Sequence, residues 1–129
     1  MFGKLMHLLN HEDVNVLVGK TLSDIQNNDN EELLFRTTNG ETYKMYHEQN
    51  CCESVSIEEI IGDLDDLIGS PITMAEEVSQ EGEDSDWGTS TWTFYKFATN
   101  KGYVTIRWLG ESNGYYSESV DFRRVQYEE

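Results

Sequence analysis

The sequence has little of several features that other protein classes need. Its 129 residues include one proline and two cysteines, and no uncharged apolar run approaches the roughly 18 residues of a membrane-spanning helix. The cysteines, Cys51 and Cys52, are neighbours, and a disulfide between neighbours would close a strained ring. We therefore expect reduced thiols rather than a disulfide scaffold. Residues 1–10 lack the small-residue cleavage site of a secretion signal, so we expect a cytoplasmic location.

Basic residues are missing from the middle of the chain. Residues 45–95 contain no lysine or arginine but thirteen carboxylates, and the net charge of the chain is −16. Ordinary soluble surfaces mix both signs of charge, whereas this stretch would repel nucleic acid, anionic lipid and phosphate and attract basic proteins. We therefore expect a basic protein partner, no direct nucleic-acid binding and no membrane binding. The predicted partner-binding acidic face consists of Glu58, Glu59, Asp63, Asp65, Asp66, Glu76, Glu77, Glu81, Glu83, Asp84 and Asp86.

The length and the apolar fraction of 37% fit one domain over residues 1–129. Two β-favouring runs, 33–37 and 42–46, flank Asn39-Gly40, a dipeptide that is typical of hairpin turns. Residues 91–99, 103–109 and 115–125 are rich in Thr, Val, Ile and aromatics and predict a three-stranded antiparallel meander. Further strands are predicted over 14–25, 52–57 and 72–78, a short helix is predicted within 1–10, and an acidic loop is predicted at 81–86.

One helix is predicted over residues 57–68. Its apolar residues recur at helical spacing: Ile57, Ile60, Ile61, Leu64, Leu67 and Ile68. Ser56 and Glu59 are placed as a capping box, and Gly69 and Pro71 would end the helix. Gly62 inside the helix would cost about 1 kcal/mol relative to alanine, so a strand to residue 58 followed by a shorter helix is the alternative. The predicted fold class is α+β, mainly β, a twisted antiparallel sheet or partly closed barrel with one covering helix.

No motif indicates catalysis or a bound cofactor, so neither is expected. His47, Cys51, Cys52 and Glu53 lie within seven residues, but a structural zinc site needs two spaced ligand pairs and the second pair is missing. The negative surroundings would raise the pKa of a cysteine thiol, which disfavours a cysteine nucleophile. The acidic loop lacks the ligand order of an EF-hand. Residues predicted to contact a ligand or to form an interface are His47, Cys51, Cys52, Glu53, Trp87, Tyr115 and Tyr116.

Several blocks resemble an uncharacterised family of small acidic proteins that are met in phages, prophages and bacteria. The blocks are His47-Glu-Gln-Asn-Cys-Cys-Glu-Ser-Val55, Ile57-Glu-Glu-Ile60, Gly62-Asp-Leu-Asp-Asp-Leu-Ile-Gly69, Pro71-Ile72 and Ala75-Glu-Glu77, and the resemblance spans about residues 16–125. The Cys-Cys-Glu-Ser-Val block is its most specific part. The resemblance implies no catalytic role. It implies a bacterial host cytosol as the setting, where small acidic phage proteins often bind host proteins.

The leading functional hypothesis is a non-enzymatic inhibitor or adaptor that mimics nucleic acid and binds a basic host protein. The alternative is a small-molecule binding protein, such as a sponge for a nucleotide-like defence signal. Such a site would need basic residues beside an aromatic cleft, and the candidates are Lys96, Lys101, Arg107, Arg123 and Arg124. A homodimer through the C-terminal strands is also predicted, because those strands lie outside the acidic stretch.

Overall fold

The computed structural model describes residues 6–127, which form two antiparallel β-sheets. The strands are β1 (Met6–His11), β2 (Leu22–Asn28), β3 (Glu32–Thr37), β4 (Thr42–Tyr46), β5 (Ser54–Ile61), β6 (Met74–Glu81), β7 (Thr89–Thr99), β8 (Gly102–Ser112) and β9 (Asp121–Tyr127). Two 3₁₀ turns, Val14–Leu17 and Leu64–Leu67, are the helical elements of the described residues. The mainly β prediction is therefore confirmed.

The first sheet has five strands in the order β1-β9-β4-β3-β2, and the second has four in the order β5-β8-β7-β6. Within the described residues each sheet keeps two edge strands, so neither closes into a barrel. The predicted hairpin is confirmed, since β3 pairs with β4 and places Phe35 opposite Tyr43. Gly40 in its turn has a φ of +90°, a conformation that glycine adopts without steric cost.

The apolar core lies between the two sheets. Alternate residues of each strand point inward, so Tyr95 and Phe97 of β7 and Trp108 of β8 are fully buried. Phe97 meets Phe35 of the first sheet with ring centroids 5.7 Å apart. The Trp108 indole N–H donates to the sulfur of Met45 at 3.3 Å, which joins the two sheets at the centre of the core.

The predicted helix over 57–68 is wrong, and no helix covers the sheet in the described residues. Ser54–Ile61 is a strand whose register against β8 shifts between Ile57 and Glu59. The extra residue of this bulge turns both Ile57 and Ile60 toward the core, although they are three positions apart. A bulge in a strand can therefore produce the spacing of apolar residues that is typical of a helix. The alternative of a strand followed by a shorter helix is closer to the structure.

The second half of the predicted helix is a single 3₁₀ turn. Gly62 ends β5 with a φ of +101°, and Asp63 then caps the turn by accepting a hydrogen bond from the Asp65 N–H at 2.9 Å. Leu64 and Leu67 lie three residues apart, as one 3₁₀ turn requires. The predicted cap residue, Ser56, instead lies within β5.

The predicted C-terminal meander is also wrong in its last strand. β7 and β8 pair along their whole length, but β9 crosses to the first sheet and lies between β1 and β4. Its Phe122 stacks on Tyr43 at 5.5 Å, which favours burial in the first sheet over an exposed position beside β8. Both edges of β9 are thus paired. The homodimer remains a prediction, but β9 does not provide the free strand edge on which that prediction was based.

Three smaller differences concern the ends of elements. The helix predicted within 1–10 is wrong where the structure describes it, because Met6–His11 is a strand, while residues 1–5 lie outside the described residues. The strand predicted over 14–25 begins as the 3₁₀ turn Val14–Leu17 and becomes extended at Leu22. The strand predicted over 72–78 is confirmed two residues later, as Met74–Glu81.

Candidate functional site

The outer face of the four-stranded sheet carries aromatic and apolar side chains with no element of the described residues packed over it. Tyr95 of β7 points into the core, and successive side chains of a strand point to opposite faces. Trp92, Phe94 and Lys96 therefore point outward. Trp92 and Phe94 lie with ring centroids 6.4 Å apart. The other apolar residues of this outer face are Ile61, Met74, Val78, Tyr103 and Leu109.

Arg107 occupies the middle of the outer face. Its guanidinium lies over the Trp92 ring, 5.1 Å from the ring centroid, and its Nη2 is 3.2 Å from a Glu59 carboxylate oxygen. Cross-strand pairing sets Glu59, Arg107, Phe94 and Val78 in one row from β5 to β6. A stacked arginine beside tryptophan is the composition of energetically important centres in protein interfaces.

Acidic residues surround this face along the perimeter of the sheet. β5 and β6 are its two edges, and the chain passes between them through the 3₁₀ turn Leu64–Leu67. That turn lies at the β7–β8 hairpin, where Thr99 donates to the Asp66 carbonyl and Lys101 donates to the Ile68 carbonyl. The β6–β7 loop closes the opposite end. The acidic rim, as we define it, consists of Glu58, Glu59, Asp63, Asp65, Asp66, Glu76, Glu77, Glu81, Glu83, Asp84 and Asp86.

The acidic rim is almost unneutralised. Glu59 alone among its members forms an ion pair within the described residues, and every member except half-buried Asp66 is exposed. Unpaired carboxylates in water keep their hydration and project a negative potential. The predicted acidic face is therefore gathered around one sheet, and its electrostatic field surrounds an aromatic centre.

A second group of predicted residues, His47, Cys51 and Glu53, forms the connection between β4 and β5. The buried Glu53 carboxylate accepts hydrogen bonds from the Cys51 N–H at 2.8 Å and the Asn50 N–H at 3.2 Å, and it contacts His47 Nε2 at 3.1 Å. The Cys51 N–H is the main cause that lowers the pKa of Glu53 to about 2. The other ring nitrogen of His47 lies 2.7 Å from the Ser119 carbonyl.

This His47–Glu53 loop is a cross-link between the two sheets. Glu53 organises the backbone that leads from β4 to β5, and His47 fastens it to the segment before β9. No group of three or more metal-ligating side chains occurs among residues 6–127. The hydrogen bonds fix the conformation of the loop, and this accounts for the polar residues it contains.

The two cysteines differ from the expectation of reduced thiols. In the structure Cys51 and Cys52 are joined by a disulfide and both side chains are exposed. The pair lies in a bend of the chain, where the Cys51 N–H donates to the Glu53 carboxylate.

The remaining residues that were predicted to contact a ligand or partner do not lie together. Cys52, Glu53 and Trp87 line one open groove of about 450 Å³, which also contains Glu111. Trp87 is 85% exposed at the tip of a turn that is closed by hydrogen bonds between Ser85 and Gly88. Tyr115 and Tyr116 are not part of this groove.

The five basic residues that were candidates for a nucleotide site do not lie close together. Arg107 lies over Trp92 and Lys96 is exposed on the same face, but Lys101 donates to a backbone carbonyl at the hairpin end. Arg123 contacts His11, and Arg124 lies 3.7 Å from Glu41 in the first sheet. An aromatic cleft lined by several bases is therefore not formed by these five residues.

A family model described as a domain of unknown function (DUF7448) matches residues 15–122. The chain belongs to this family. The matched region contains the whole four-stranded sheet, the acidic rim and the His47–Glu53 loop. No curated protein and no solved structure gives a significant match.

No helix within the described part of the DUF7448 chain is long and apolar enough to cross a membrane. Sequence reasoning placed the acidic rim but missed the centre of the face formed by Trp92, Phe94, Leu109 and Arg107. These residues occupy alternate positions of β7 and β8 and so share one face. The alternation was hidden because both faces of β7 are aromatic, with Tyr95 and Phe97 on the other side. Lys96 and Arg107 stand at alternate positions of β7 and β8 that face outward. These two charged residues were the feature of the sequence that could have identified the outer face.

Proposed function

We propose that this DUF7448 protein is a non-enzymatic protein-binding module of the bacterial cytosol. In this proposal it is a phage-type inhibitor that mimics nucleic acid and occupies the nucleic-acid-binding surface of a basic host protein. The observation that carries the proposal is the almost unneutralised acidic rim around an uncovered aromatic face with a stacked arginine. Rim carboxylates would stand in for phosphates, and the aromatic centre would supply the apolar contact that protein interfaces need.

The two parts of the surface would contribute differently. Exposed charges accelerate association and make it sensitive to salt, whereas a desolvated aromatic centre mainly slows dissociation. Trp92 and Phe94 are half-buried by their own neighbours, so little side-chain freedom remains to be lost on binding. A preorganised centre with a charged border fits fast and tight binding of a basic groove.

The nucleotide-sponge alternative is less well supported. Its required basic residues are distributed over both sheets, and the groove that contains Trp87 is bordered by Glu53 and Glu111. A ligand that carries phosphates would meet negative charge in that groove.

The test compares three forms of the protein. The wild type, a rim variant (Glu76→Gln with Glu77→Gln) and a control variant (Glu12→Gln with Asp121→Asn) are used to capture proteins from bacterial lysate at low salt. The control removes the same charge from the five-stranded part of the chain. The wild type and the control should capture the same basic protein, which is then purified. The rim variant should bind that protein roughly tenfold more weakly, by about 1.4 kcal/mol.

Two further measurements decide the mechanism. Trp92→Ala should weaken the purified complex by roughly 10–100-fold with little change in salt dependence, as loss of an interface centre does. Nucleic acid should compete with the chain for the partner. The proposal fails if no basic protein is captured, if rim and control variants bind alike, or if nucleic acid and the chain bind the partner together.

A further inference from the structure

No strand of the described residues pairs with the outer backbone edge of β6, although the 3₁₀ turn Val14–Leu17 lies close to β6. β6 is the last strand of the second sheet, and within the described residues it pairs on one side only, with β7. Its register is regular from Met74 to Glu81, and every residue after Ala75 is exposed. The strand contains no proline and no bulge along this paired length, which are two common means of blocking an edge.

The hydrogen-bond pattern between β6 and β7 shows which backbone amides of β6 have no partner in the sheet. The Gly82 N–H donates to the Ser90 carbonyl at 2.9 Å, in the register that pairs Glu81 with Thr91. Hydrogen-bonded pairs alternate along an antiparallel ladder, so the even-numbered residues of β6 bond to β7. The N–H and C=O groups of Glu77, Ser79 and Glu81 therefore point away from the sheet, where an added strand would find them.

The charges of β6 select what can pair there. Glu77 and Glu81 lie on one side of the strand and Glu76 lies on the other, and none of the three forms an ion pair within the described residues. A second copy of the same edge would bring like charges into opposite positions, whereas a basic strand would bring opposite charges together. The other edge of this sheet is partly occupied, since the Ile57 N–H of β5 donates to the Asn30 carbonyl at 2.7 Å.

We propose that β6 binds an extended, lysine- or arginine-rich segment of the partner protein as a fifth strand of the sheet. The segment forms main-chain hydrogen bonds to Glu77, Ser79 and Glu81, and its basic side chains lie beside the β6 carboxylates. Main-chain pairing supplies affinity, and the alternate side chains supply selectivity for positive charge. This inference rests on the proposed function, because it assumes a basic protein partner.

The test uses a labelled octapeptide of alternating lysine and threonine with blocked ends. Its matched control has the same sequence and charge but a methyl group on every backbone nitrogen, which prevents pairing as a strand. At low salt the plain peptide should bind at least tenfold more tightly than the methylated one. In the wild-type protein, binding should slow hydrogen exchange of the Glu77, Ser79 and Glu81 amides, and those of Val78 and Gln80 should change little.

A pair of variants separates the backbone from the side chain. Ser79→Pro removes an amide that faces the open edge and leaves the β7 ladder intact, whereas Ser79→Ala keeps that amide. Ser79→Pro should bind the plain peptide about tenfold more weakly than Ser79→Ala does, with unchanged binding of the methylated peptide. If Ser79→Pro fails to fold by circular dichroism, the exchange pattern of the wild type decides.

Three results would overturn the inference: equal binding of the two peptides, no binding of either, or unchanged exchange at the three open amides. A wild-type dimer in light scattering that Ser79→Pro converts to monomer would assign the edge to a second copy instead. If the edge tests fail while a basic partner still binds through Trp92, the proposed function stands without the added strand. Failure to capture any basic protein would remove the proposed function itself.

Discussion

Replacing Gly62 by alanine distinguishes the observed fold from the helix that the sequence pattern suggested. Inside a helix this change would stabilise the protein by about 1 kcal/mol, because alanine is the better helix former. In the structure Gly62 has a φ of +101° between β5 and the 3₁₀ turn. An alanine Cβ built there would lie 2.5 Å from the Tyr103 carbonyl oxygen and 3.3 Å from the Val104 Cα. The two arrangements therefore predict opposite signs.

The magnitude follows from two contributions. A non-glycine residue at positive φ costs roughly 1–2 kcal/mol. The close approach involves the backbone of the central strand β8, which cannot move without disturbing its pairs on both sides, and forced overlaps of this kind cost roughly 1–3 kcal/mol more. We expect Gly62→Ala to lower the free energy of unfolding by about 3 kcal/mol, and Tm by roughly 10 °C for a domain of this size.

Thermal and urea unfolding followed by circular dichroism measure this effect. Gly19→Ala is the matched control, because Gly19 has a φ of +87° but nothing within 4 Å of the added Cβ. The control should show only the conformational cost of roughly 1–2 kcal/mol. A Gly62→Ala protein that melts at or above the wild-type temperature would refute the reasoning and restore the helical alternative.

Three further predictions concern polar contacts and the core. Because the folded pKa of Glu53, about 2, lies below its ordinary value of 4.5, its contribution to stability is fully present above about pH 4.5 and is lost as pH falls toward 2. Glu53→Gln should therefore melt below the wild type at pH 7, and the difference should shrink on acidification; a difference independent of pH would contradict this. Glu118 accepts hydrogen bonds from Thr89, Thr91 and Ser112, so Glu118→Ala should cost about 1 kcal/mol in urea unfolding, and an unchanged midpoint would show that these bonds contribute nothing. Trp108→Ala should cost about 3–5 kcal/mol, measured in the same way, since Trp108 is fully buried between the sheets, whereas Tyr115→Ala, at a residue 90% exposed, should stay within about 0.5 kcal/mol.

The sequence alone determined the features that depend on composition and on neighbouring residues. The mainly β class followed from the content of β-favouring residues, and the β3–β4 hairpin followed from Asn39-Gly40, whose glycine takes the positive φ of the turn. The acidic stretch followed from the absence of lysine and arginine over residues 45–95. These properties need no knowledge of which distant segments meet.

Only the tertiary structure decided where each strand lies and which residues share a face. The bulge at Ile57–Glu59 made a strand look helical, because an inserted residue changes the spacing of inward positions without changing composition. The transfer of β9 to the first sheet depended on long-range burial of Phe122 against Tyr43. The aromatic centre depended on cross-strand pairing, since Arg107 and Trp92 lie fifteen positions apart in the chain and meet only where β7 and β8 pair. Periodicity reports which residues of one segment share a face, but packing decides which face is covered.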